Sequence, residues 1–303
     1  MPEEVTSTKH ETDILMIGHF AKDRNIVDGH GETASGGGVY FGSMALRRLG
    51  VSVAVVTRLH PDDFGLLEEM RWAGVQVFAT AAPETSGIAN YYDSADMERR
   101  ICNPLGFAGA FGPEELPDVE ARIYVVASII AGEVDLPLLT ELARRGPVAI
   151  DVQGFVRVRE GDDLVFRPWS DMAERLTHVT YLKTDRAEAE LLTGESDLRV
   201  AARRLSEFGP SEVVITESSG VTVYSGGHFY QGLFTPTSLK GRTGRGDTCF
   251  STYLGRRLTA SAEEAAKLAG AVTTLKQEQP GPWTGTLADA EALMERQWAA
   301  RDH

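Results

Sequence analysis

The sequence has little cysteine: only Cys102 and Cys249 occur. Two isolated thiols make neither a disulfide framework nor a thiolate metal site. The compartment this implies is a reducing cytoplasm. Long apolar runs are missing too. Nothing approaches the ~20 residues that a bilayer-spanning helix needs, so no membrane partner is expected. The opening residues, MPEEVTSTKHETD, are polar and acidic and lack the basic and apolar regions of a signal peptide. Positive charge is scarce: 30 Lys and Arg face 44 Asp and Glu, a net charge of −14. That excess repels nucleic acid and anionic membranes. It leaves room for an anionic ligand, because a few local basic groups suffice to hold one. No internal repeat or low-complexity tract is present. The absence of G-x-G-x-x-G after the first apolar run sets a dinucleotide-binding dehydrogenase aside.

What is present is an ordinary globular composition, 42% hydrophobic and 24% charged, over 303 residues. A folded chain of that length buries about three quarters of its unfolded surface and needs no staples. Residues 1–12 read as a loose tail. DILMIGH (13–19) is an apolar run that suits a buried strand, followed by a polar stretch, KDRNIVDGHGE. SGGGVYFGSMALRRLG (35–50) opens a helix on a glycine run and closes it on Gly50. VSVAVVTRL, VQVFAT, ARIYVVASII, PVAIDVQG, HVTYLKT and SEVVITESSG read as strands. DDFGLLEEMRWAG, LPLLTELARRG, DRAEAELLTG, DLRVAARRLSEFG and three C-terminal segments read as helices between or after them. Residues 155–177 read as a polar insert. The alternation predicts an α/β fold with a mainly parallel central sheet and helices on both faces, in a single domain of residues 1–303. Ligands in such folds bind beyond the carboxyl ends of the strands. Residues 86–111 break the alternation and read as a β hairpin, a small lid whose edges suit pairing with a second subunit, hence a homodimer.

The densest chemical signal is Gly241-Arg242-Thr243-Gly244-Arg245-Gly246-Asp247-Thr248-Cys249 before a C-terminal helix. Glycines let backbone N–H groups converge, and a helix start adds its own unpaired donors. Such a loop can hold the charge of a transferring phosphoryl group. Asp247 can take the proton of an attacking hydroxyl. The same residues also suit a glycine turn with Asp247 as a plain cap.

Strand, T-G-x-G-D-T and apolar helix together resemble the ribokinase-like carbohydrate kinases, the phosphofructokinase-B family. Three further stretches fit in order: Gly36-Gly37 before a helix ending Leu49-Gly50, Asp185-Arg186-Ala187-Glu188 before LTG, and VVITESSGVTVYSGG. The resemblance covers about residues 14–285. It implies an enzyme that transfers a phosphoryl group from ATP to a hydroxyl. Asp247 would be the catalytic base, and the N–H groups of Gly244, Arg245 and Gly246 the anion hole. Glu188 would act on Mg²⁺, although EAE runs are commonly solvated helix faces. Asp185, Thr216, Ser218 and Gly220 would lie along the nucleotide, although a hairpin turn explains the last three equally. Asp23, Gly36, Gly37, Gln153 and Arg157 would meet the substrate. The chain departs from the family at Gly241 and Arg242, where an Asp that helps to bind a monovalent cation and a Thr are usual. Potassium activation is therefore not expected. Arg245 stands where a small residue is usual, and Asp185 where Asn is.

GHFAKDRNIVDG, GGGV, DVQGFVR, HVTYLKTDRAEAE and GRTGRGDTC together are similar to a prokaryotic branch of these kinases that includes myo-inositol kinases. That similarity implies a cyclitol substrate. A nucleoside kinase is the alternative enzyme, with Tyr91, Tyr92 and Phe107 as an aromatic slot for a base. A sensor that binds sugar or ATP without turnover is the alternative of another class.

Overall fold

The computed structural model describes residues 10–299. In chain order come β1 (His10–Ile17), β2 (Ala21–Val27), β3 (His30–Gly36), α1 (Gly38–Arg48), β4 (Val53–Leu59), α2 (Glu68–Trp72) and β5 (Gln76–Ala81). They are followed by β6 (Gly87–Asp93), β7 (Asp96–Gly106), β8 (Val119–Val126), α3 (Leu136–Arg145), β9 (Val148–Asp151), α4 (Gln153–Val156), β10 (Arg157–Glu160) and β11 (Asp163–Phe166). Then come α5 (Met172–Leu176), β12 (Tyr181–Asp185), α6 (Arg186–Thr193), α7 (Leu198–Ser206), β13 (Glu212–Glu217), β14 (Gly220–Ser225) and β15 (His228–Leu233). The chain closes with α8 (Arg245–Arg257), α9 (Ala262–Gln277) and α10 (Leu287–Ala299).

Nine strands form the main sheet in the order β15-β14-β13-β12-β9-β8-β1-β4-β5. All neighbours from β13 to β5 pair in parallel, and β14 and β15 add an antiparallel edge. Pleating sends alternate side chains of β1 to opposite faces. Ile14 and Met16 join α1, α8 and α9 in one apolar layer; Leu15 and Ile17 join α3, α6 and α7 in the other. All four are at most 1% exposed, which explains why the strand is an unbroken apolar run. Local capping starts the helices where the sequence suggests. Asp135, Asp197 and Ser261 each accept a backbone N–H in the first turn of α3, α7 and α9.

Five expectations change. Residues 1–9 of the supposed tail lie outside the described residues, and His10–Thr12 already belong to β1, paired with β8. The polar stretch after β1 is no loop. It folds as the β2–β3 hairpin, and β2 pairs in parallel with β6. The hairpin at 86–111 is therefore half of a four-stranded sheet, β3-β2-β6-β7. The insert at 155–177 contains the β10–β11 hairpin, which leans on this small sheet through Asn103 Nδ2 and the Asp162 carbonyl at 3.0 Å. The helix expected over 62–74 is a 3₁₀ segment, Pro61–Leu67, that passes into the short α2.

A buried carboxylate ties the carboxyl ends of the central strands together. Glu133, 0% exposed, accepts the His19 N–H at 3.0 Å and those of Ile129 and Ile130 at 2.7 and 2.9 Å. His19 bridges onward to the small sheet: its ring nitrogens meet Ser86 Oγ at 2.7 Å and the Gly109 carbonyl at 2.8 Å. Burial lowers the His19 pKa, so the ring is neutral, with Nε2–H donating to the carbonyl. Replacing Glu133 by Ala leaves three buried N–H groups without acceptors, each worth about 1–3 kcal/mol. Glu133→Ala should lose at least about 3 kcal/mol in a urea titration. A loss under about 1 kcal/mol would mean that water replaces the carboxylate and that the tie is dispensable.

Candidate active site

The glycine loop enters α8 as its chemistry requires. Gly244 caps the helix at φ 83°, ψ 10°, in the left-handed region. A Cβ there would also lie 2.4 Å from the Phe41 ring, so strain and collision both demand glycine. The Arg245 N–H closes a turn on the Arg242 carbonyl at 3.1 Å. Helix geometry leaves the N–H groups of Gly246 and Asp247 without an acceptor inside α8. Of the three donors expected for the anion hole, Gly246 is thus presented by the helix itself, while Arg245 is engaged in the turn.

Asp247 sits in the first turn of α8, and its carboxylate reaches the start of α1. Its Oδ1 is 3.1 Å from where a Cβ on Gly38 would be. Two residues earlier, Asp23 Oδ2 lies 2.2 Å from the corresponding position on Gly36, a space that any side chain at 36 would claim. Gly37, at φ 92°, turns the chain between them and caps α1. Asp23 and Asp247 therefore flank the same glycine turn, one from the small sheet and one from the main body. Asp23 is 6% exposed, and its Oδ1 accepts the Ile88 N–H at 2.8 Å.

Two buried lysines, which the sequence reading did not pick out, stand by α8. Lys183 Nζ is 2.9 and 3.1 Å from the Asp151 carboxylate oxygens and 3.0 Å from where a Cβ on Gly246 would be. Burial disfavours its charge, but Asp151, Glu188, Asp185 and Asp247 outweigh burial and hold the ammonium well above the usual lysine range. Lys276 Nζ donates to the carbonyls of Gly241 and Thr243. Burial pushes its pKa down to about 7, against the pull of Asp247. Neither lysine carries a sequence signal, since burial of a lysine is decided by neighbours distant in the chain.

Glu188 is buried, not a solvated helix face. It forms a capping box with Asp185: each side chain accepts the other's backbone N–H at 2.8 Å. Burial and the Asp185 charge raise the Glu188 pKa, with Lys183 pulling it back. Among the described residues no group of three or more His, Cys, Asp or Glu side chains could hold a metal alone. One or two hard carboxylates beside a phosphate site do fit Mg²⁺, which takes its other ligands from water and phosphate.

The remaining expected residues fall at neighbouring strand ends. Thr216 is buried and pairs in register with Asp185; Ser218 and Gly220 lie at the turn into β14, as a hairpin reading allows. The Arg186–Glu217 ion pair, at 2.5 Å, spans that edge. Gln153 opens α4, its N–H donating to Asp151 Oδ1 at 3.0 Å. Arg157 is buried, with Nη1 3.5 Å from the Ile129 carbonyl and its guanidinium 5.9 Å from the Phe166 ring centre. On the small sheet, Asn25 and Asn90 are register partners joined at 3.1 Å. They extend the polar set begun by Asp23, and strand alternation is the signal that could have found Asn25. The aromatic slot does not form. Tyr92 is buried with its hydroxyl 2.9 Å from Thr243 Oγ1, Tyr91 is exposed, and Phe107 packs edge-on against His19.

The pfkB family carbohydrate kinase model matches residues 15–288. A pyrophosphate-dependent kinase in the ribokinase family, solved with a pyrophosphate analog and myo-inositol, superposes with a TM-score of 0.85 at 37% identity, covering 92% of this chain and 99% of its own. A mutant that converts a pyrophosphate-dependent myo-inositol-1 kinase into a myo-inositol-3 kinase matches at 36% identity and a TM-score of 0.84, over 94% of this chain and 99% of that one. The cytidine kinase of Thermococcus kodakarensis is 26% identical over 258 residues, 80% of this chain and 87% of that protein. With the match running from the first central strand to the start of the last helix, the chain belongs to the pfkB family of carbohydrate kinases.

Proposed function

We propose that this kinase phosphorylates a hydroxyl of a cyclitol, myo-inositol, giving a myo-inositol monophosphate. The observation that carries the reading is the pair of carboxylates on the Gly36–Gly38 turn, with Asp23 beside Asn25 and Asn90. A ring of hydroxyls needs paired donors and acceptors and no stacking surface. Support also comes from two relatives at 36–37% identity, a pyrophosphate-dependent kinase solved with myo-inositol and a pyrophosphate-dependent myo-inositol kinase. The same relatives favour pyrophosphate as donor over the ATP expected from sequence. The scattering of Tyr91, Tyr92 and Phe107 disfavours a nucleoside.

In this mechanism an Asp247 oxygen accepts the proton of the attacking hydroxyl. The hydroxyl oxygen bonds to the terminal phosphorus as the bond to the leaving phosphate breaks. Backbone N–H groups of Gly244 and Gly246 face the developing charge, with the Lys183 ammonium behind them. Glu188 and Asp185 would hold Mg²⁺ through water, and the ion would neutralise charge on the donor phosphates. Gln153 and Arg157 complete the polar surround, and the Arg245 side chain adds a cation at the loop.

Asp247→Asn should keep the fold, read by circular dichroism and melting, while kcat falls by about 10²–10⁴. Wild-type turnover in that variant would remove Asp247 from the role. In a matrix of pyrophosphate and ATP against myo-inositol, ribose, fructose and cytidine, the highest kcat/KM should belong to pyrophosphate with myo-inositol. Asp23→Ala should raise KM for the polyol about tenfold, the worth of one or two lost hydrogen bonds, and leave the donor KM unchanged. A preference for cytidine would overturn the cyclitol reading and leave the kinase; a preference for ATP would change the donor alone.

We propose further that the small sheet is a lid on one catalytic domain and that its outer face pairs two copies of the chain. Tyr91 and Ile101, register partners 43% and 60% exposed, share that face. Light scattering should give a dimer, and Ile101→Lys a monomer. A wild-type monomer would end this proposal.

A further inference from the structure

Lys276 has the surroundings of a bound cation more than those of a side chain. Its stem runs from the last turn of α9, and it is 2% exposed. Its ammonium donates to two carbonyls of one short loop, those of Gly241 and Thr243. It also faces the Phe41 ring, 5.0 Å from the centre. The same ring fills the space that a side chain at Gly244 would need. Gly241 is held a second time, its N–H donating to the Gln277 carbonyl at 2.8 Å. The loop that opens α8 is therefore fastened to the end of α9 through a charge.

Burying an ammonium is costly, and carbonyl dipoles, an aromatic face and a nearby carboxylate are the groups that offset it. Carbonyl cages of this kind also suit potassium or ammonium ions, which resemble a lysine head in charge and size. Holding the Gly241 and Thr243 carbonyls at the end of α9 fixes the peptide planes that follow: the Arg242 N–H closes on the Leu239 carbonyl at 3.3 Å, and the Gly244 N–H enters α8 in a set direction. An arriving phosphate adds negative charge there and favours the charged lysine.

We infer that Lys276 is a tethered cation built into the anion-binding loop, a positioning residue that orients the loop for phosphoryl transfer and makes free monovalent cations unnecessary. The inference rests on the phosphoryl-transfer reading. It goes beyond the missing carboxylate at Gly241, because it names the group that fills the place.

The test uses the full chain with magnesium and with all other cations supplied as a bulky tetraalkylammonium. Wild-type kcat should change by no more than about twofold when potassium, sodium or ammonium is added. Lys276→Ala should lose about 10²-fold in kcat, the cost of a displaced catalytic frame, with the polyol KM little changed. Potassium or ammonium should restore much of that loss saturably, by entering the vacated space. Lys276→Met, which fills the space without charge, should be equally slow and not rescued. Saturable potassium activation of the wild type, or full turnover of Lys276→Met in cation-free buffer, would overturn the inference. Pyrophosphate-induced thermal stabilisation gives a readout without turnover. It should persist in the wild type without alkali cations and largely vanish in Lys276→Met; equal stabilisation of both would count against Lys276. If the wild type turns over no acceptor, the kinase reading fails while this binding comparison still decides the role of Lys276.

Discussion

The start of α8 depends on charge held in the wrong medium. Lys183 and Lys276 are both buried, and each is tolerated only because specific oxygens surround it. Lys183 is answered by Asp151 across two neighbouring parallel strands. Lys276 is answered by the carbonyls of the loop that it holds. The cost of desolvating these ammonium groups is offset, fully at Lys183 and in part at Lys276, only if the strands and helices are in place, so the site and the fold stand or fall together. Asp247, which both lysines feel, lies between rigid elements and not on a free loop.

That arrangement assigns different tasks to different parts of the molecule. The parallel sheet brings Asp151 and Asp185 to adjacent carboxyl ends. The small sheet brings Asp23, Asn25 and Asn90, polar groups of the kind that the proposed cyclitol would need. The Gly36–Gly38 turn is where the two meet, because only glycine leaves room for two carboxylates against the backbone. Tyr92, reaching Thr243 from the small sheet, makes a second link to the glycine loop. The small sheet and the glycine loop are thus joined through two short contacts, where the proposed function would need closure to couple them.

Much of this was legible in the sequence, and for local reasons. The central strands are buried on both faces, so they appear as uninterrupted apolar runs. The helices are bounded by caps and glycines, and the loop before Asp247 is contiguous. Asp247, Gly244, Glu188 and Asp23 could be singled out as candidates because each lies inside such a contiguous pattern. The β2–β3 hairpin was not found, because its residues are largely polar and become strands only by pairing with each other and, through β2, with β6. Tyr91 and Tyr92 looked like one aromatic group, although adjacent strand residues must point to opposite faces.

The chain's order of apolar runs and glycines determined the central strands, the helices and the place of the glycine loop before Asp247, since those depend on neighbours within about ten residues. Tertiary structure alone decided which charges are buried. Lys183 meets a carboxylate 32 positions away, and Lys276 meets carbonyls 33 and 35 positions away. No local pattern distinguishes these from the solvated lysines, because the free energy that keeps an ammonium inside comes wholly from groups that folding brings to it.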